Sequence, residues 1–120
     1  MSSRFVLAAL FALAACAQPI EPAELFVDAE ASGGEVAIHN RGPDPVYVRV
    51  LDPTELWQSV GCGPSNCLRV NPRQTVRVPY AEIAYYEPGS VQAMVDWSTF
   101  EAAADGGYRQ KAYGSVIAEL

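Results

Sequence analysis

The chain has 120 residues, one domain's worth, with 14 acidic against 8 basic side chains and a formal charge of −6. That excess of carboxylates repels phosphates, which excludes a nucleic-acid partner and disfavours anionic lipid headgroups. The apolar run Phe5 to Ala15 has 11 residues, and nothing later in the chain comes near the roughly 20 that a spanning helix needs.

The chain opens with Met1-Ser2-Ser3-Arg4, a short positively charged segment, and then that apolar run. Together they have the form of a secretory leader. Leu13-Ala14-Ala15-Cys16 follows directly: an aliphatic residue, two small residues and a thiol. This resembles the lipobox of bacterial lipoproteins. The resemblance implies cleavage before Cys16 and acylation of that cysteine, whose several acyl chains give stable anchoring where one chain would not. Ala17, where aspartate could have stood, implies the outer membrane, facing the periplasm, if the source is Gram-negative. Ala15-Cys16-Ala17 also fits an ordinary leader cleavage site, which would release a soluble protein beginning at Gln18. Residues 16–23, with Pro19 and Pro22, read as an extended tether.

The remaining 24–120 read as one all-β domain. Removal of Arg4 with the leader leaves 7 basic against 14 acidic side chains in the mature chain from Cys16. Apolar and polar residues alternate along Val46–Leu51, Thr75–Val78 and Val91–Ser98, so each run offers one face to a core and one to water. Turn chemistry separates the runs: Ser32-Gly33-Gly34, Gly42-Pro43-Asp44-Pro45, Asn71-Pro72-Arg73, Glu87-Pro88-Gly89 and Asp105-Gly106-Gly107. The pattern predicts strands at Glu24–Glu30, Glu35–Asn40, Val46–Asp52, Leu68–Val70, Gln74–Pro79, Ser90–Phe100 and Tyr108–Leu120. About seven strands in some 100 residues suit an immunoglobulin-like antiparallel sandwich, with a small closed β-barrel as the alternative. In the sixth strand Val91, Ala93, Val95 and Trp97 are expected inside, with Gln92, Met94 and Asp96 facing out. Asp52-Pro53-Thr54-Glu55 predicts a capped helical turn. Tyr80–Tyr86 lacks alternation and reads as a loop or turn crossing between sheets.

Cys62 and Cys67 flank the turn-rich Gly63-Pro64-Ser65-Asn66. In an exported protein they are expected to form a short structural disulfide. Four intervening residues do not match the redox spacing, and zinc would need further ligands where His39 is the single histidine. His39 falls on the polar phase of its strand. The acids are scattered, with no calcium-loop or paired-carboxylate pattern, and no G-x-S-x-G elbow occurs. The expectation is therefore not an enzyme, with no cofactor and no metal. Trp57, Tyr80, Tyr85 and Tyr86 lie off the strands and form the candidate binding patch for a protein or glycan of the envelope. The function expected is a lipid-anchored, non-enzymatic binding or assembly module. The alternative is an inhibitor or capture protein for a basic envelope-active enzyme such as a lysozyme, favoured by the acidic charge.

Overall fold

The computed structural model describes residues 26–54 and 63–120. The leader, Cys16, the tether and the segment holding Trp57 and Cys62 lie outside the described residues. Seven strands follow in chain order: β1 Val27–Ser32, β2 Glu35–Asn40, β3 Val46–Leu51, β4 Leu68–Val70, β5 Thr75–Pro79, β6 Gln92–Ala102 and β7 Tyr108–Glu119. They form two antiparallel sheets, one in the order β1-β2-β5 and the other β4-β3-β6-β7. The chain crosses between sheets after β2, after β4 and after β5. The sheets stay open at their edges, so the fold is a sandwich of immunoglobulin-like layout and not a closed barrel.

Valine supplies most of the interior. Val27, Val36, Ile38, Val46, Val48 and Val95 are buried between the sheets, at the alternate positions their strands require. Branching at Cβ suits these residues to a pleated surface packed on one face. Among the described residues Trp97 of β6 is the largest wholly buried side chain, and its ring lies 6.0 Å from that of Phe26. Gly114 of β7 stands opposite Trp97 in the ladder, and a Cβ there would come within 2.9 Å of the indole Cζ2. The glycine is the space the indole occupies.

The turns carry out what their residues prescribe. Gly33 and Gly34 both have positive φ and close a two-residue hairpin of the type that Gly-Gly favours. Asn40, wholly buried, ties the β2–β3 loop to β4: its amide nitrogen donates to the carbonyls of Asp44 and Val70, and its oxygen accepts from the Gly42 amide. Asp52 caps the short turn at Pro53-Thr54, accepting from the Thr54 amide at 2.9 Å. Tyr80–Glu82 form a single 3-10 turn that carries the chain from β5 toward the other sheet. Ala84 then bridges to Leu51, extending the edge of β3 beyond β4.

Two expectations about β6 need correction. Val91 is 71% exposed, although it is in phase with the core. It precedes the strand, past the last pairing of β6 with β3, at Leu51 and Met94, so no opposing layer covers it. Met94, expected on the watered face, is only 8% exposed. On that outer face it lies between Leu51 and Ile117 in the ladder, so three apolar side chains from three strands form a small cluster away from the main core. Alternation along one strand does not reveal such cross-strand neighbours.

Candidate functional site: an aromatic sheet face

The register of the four-stranded sheet places Arg69 of β4, Tyr47 of β3, Ser98 of β6 and Tyr113 of β7 in one row across its outer face. Tyr113 is 69% exposed. Below the row, toward the β6–β7 hairpin, lie Phe100 and Tyr108, the latter equally exposed. Phe100 meets Tyr47 edge to face with ring centroids 5.7 Å apart. The Arg69 guanidinium sits 5.9 Å from the Tyr47 ring centre and donates from Nε to Asn71 Oδ1. Gln110 donates its amide to Ser98 Oγ at 2.9 Å. A β-bulge at Lys111 re-aims this end of β7, because Thr99 pairs with Ala112 while Phe100 pairs with Gln110. Lys111 then reaches Asp44 at 3.1 Å. The result is a sheet face with four aromatic side chains and fixed polar groups between them, a composition found in binding surfaces.

This face was not among the candidates read from the sequence. Tyr80 and Tyr86 instead pack on each other, with centroids 5.7 Å apart, and lie half-buried against the core. Tyr85 is exposed and has a positive φ. Trp57 lies outside the described residues. The missed signal was the outward phase itself: Tyr47, Phe100, Tyr108 and Tyr113 all stand on strands, where aromatics are first assigned to the core.

The structure describes one of the two cysteines expected to pair. Cys67 is disulfide-bonded, while Cys62 lies outside the described residues. The turn between them is present, with Gly63 donating to Asn66 Oδ1 at 2.7 Å. His39 lies on the outer face of the three-stranded sheet, its Nδ1 2.8 Å from the Thr75 hydroxyl.

The two ends of the sandwich differ in charge. Arg41, Arg73, Arg109 and Lys111 stand at the end where the chain enters through Phe26. There Arg41 pairs with Asp28, and Arg109 with Glu101. The opposite end carries Glu35, Asp52, Glu82, Glu87 and Glu119, and its described loops contain no lysine or arginine. At that end Asp52 lines an open depression of about 270 Å³ with Thr54, Glu87 and Ser90. The Ser90 hydroxyl, donating at 2.5 Å, and then the amide and hydroxyl of Thr54 hold the Asp52 carboxyl below its ordinary value of 3.8. Neither a protein-family model, nor a curated protein, nor a solved structure matches this chain.

Proposed function

We propose that the chain is the precursor of a lipid-anchored cell-envelope lipoprotein whose sandwich is a non-enzymatic binding module working through the outer face of its four-stranded sheet. The observation that carries the reading is the aromatic face itself. Two tyrosines leave most of their surface in water on a rigid sheet, which costs solvation unless a partner covers them. The leader and Leu13-Ala14-Ala15-Cys16 support the anchor, and the disulfide at Cys67 suits an oxidising compartment. Nine residues separate Cys16 from Phe26, and the ten steps of chain reach about 35 Å when extended. The tether would let the domain stand clear of its membrane.

The test is labelled palmitate in a bacterium that processes lipoproteins. The wild type takes up label and fractionates with membranes, and Cys16→Ser does neither. Label persisting in Cys16→Ser, or absent from the wild type, refutes the anchor.

A second reading, capture of a basic envelope-active enzyme, is favoured by the acidic end. Its mark would be salt-sensitive binding weakened by Glu82→Gln and Glu87→Gln, with no effect of Tyr113→Ala.

A further inference from the structure

We infer that the row Arg69–Tyr47–Ser98–Tyr113 is a binding site for the β-1,4-linked glycan strand of peptidoglycan, running across the β-strands; this rests on the envelope reading above. The argument starts from spacing. Tyr47 and Tyr113 occupy the same row on strands two apart, so their backbones are separated by about 10 Å, twice the inter-strand distance. That is also the length of one disaccharide in an extended β-1,4 chain. In such a chain alternate rings turn the same face to the same side. Tyr113 stands open to water and Tyr47 is half-buried beside Arg69 and Phe100; one disaccharide apart, the two rings face equivalent apolar pyranose faces, the open Tyr113 giving the larger contact.

Between the two tyrosines the polar groups suit sugar hydroxyls and acetamido groups. Gln110 is steadied by its bond to Ser98 Oγ and keeps its carbonyl oxygen as an acceptor. At the β4 end the row closes on Arg69, a guanidinium with no carboxylate partner among the described residues. On a domain with nearly twice as many acids as bases, a cation in that position fits a ligand that carries carboxylates. Peptidoglycan supplies all three features: extended β-1,4-linked rings, acetamido groups, and carboxylates on its peptide stems. Chitin shares the backbone without the carboxylates.

The experiment uses the full chain, purified from a whole-cell detergent extract and sedimented with insoluble peptidoglycan or with chitin. The wild type is expected to pellet with peptidoglycan. Tyr113→Ala should lower the bound fraction at least tenfold, while Tyr113→Phe and Val91→Ser, at the far end of the domain, bind as wild type. Arg69→Gln should weaken binding to peptidoglycan more than to chitin. Tyr113 is exposed, so its loss leaves the core intact, and an unchanged circular-dichroism spectrum checks this. Failure of the wild type to pellet, equal pelleting by Tyr113→Ala, or pelleting with chitin alone overturns the inference. Palmitate labelling is read separately: label without pelleting overturns only the glycan site, and pelleting without label overturns only the anchor.

Discussion

Gly114→Ala adds one methyl group where the structure leaves no room for it. Its Cβ would stand 2.9 Å from Cζ2 of Trp97 and 3.0 Å from Cε2 and Nε1, against about 3.5–4.0 Å for a comfortable carbon contact. The indole is rigid, 1% exposed, and held from one side by Phe26. It cannot swing aside like the end of a long side chain. Overpacking of this kind costs about 1–3 kcal/mol. Replacing glycine in a strand returns about 0.5–1 kcal/mol of backbone entropy, and the φ of Gly114 is not in the left-handed region, so no strain offsets that gain. The net expectation is a loss of about 1–2 kcal/mol, a sizeable share of the 5–15 kcal/mol typical of a domain. Urea unfolding followed by circular dichroism measures it. A double-mutant cycle isolates the cause: in a Trp97→Phe background the smaller ring leaves space, and Gly114→Ala should become neutral or stabilising. An equal loss in both backgrounds, or no loss in the wild type, would refute the packing argument.

The same assay separates two residues of β6 and its approach. Met94→Ala should cost about 2 kcal/mol or more, because Met94 is buried beside Leu51, and Val91→Ala should fall within about 0.5 kcal/mol of wild type. The Asp52 cap gives a pH test. Its folded value lies below the unfolded 3.8, so the stability it contributes is fully present above that value and is lost as pH falls through the folded one. Ser90→Ala removes the largest cause. Carboxyl titration by nuclear magnetic resonance should then show Asp52 moving up toward 3.8, with a flatter loss of stability under acid; an unmoved Asp52 contradicts the assignment.

The layout of the fold was legible because it rests on local signals. Period-two alternation placed β2 and β4 at their observed bounds and the other strands within three residues, since each strand has one face against a core and turn residues at its ends. Asp52-Pro53-Thr54 announced its own cap. What depended on neighbours from elsewhere in the chain was hidden. Val91 carried the core phase but lies beyond the opposing sheet, and Met94 carried the outward phase but found Leu51 beside it. The aromatic sheet face was hidden for the same reason. Tyr47, Ser98 and Tyr113 are 15 or more positions apart, and only the pairing register of three strands puts them in one row. Of the aromatics outside the strands, Tyr80 and Tyr86 pack on each other and close over the core.

The proposed lipid anchor is tested most directly by the amino-terminal peptide of the chain as a lipoprotein-processing bacterium matures it. Mass spectrometry of that peptide should find it beginning at Cys16, with Met1 to Ala15 removed and acyl chains on the cysteine. A peptide beginning at Gln18, or one that keeps Cys16 unacylated, would contradict it.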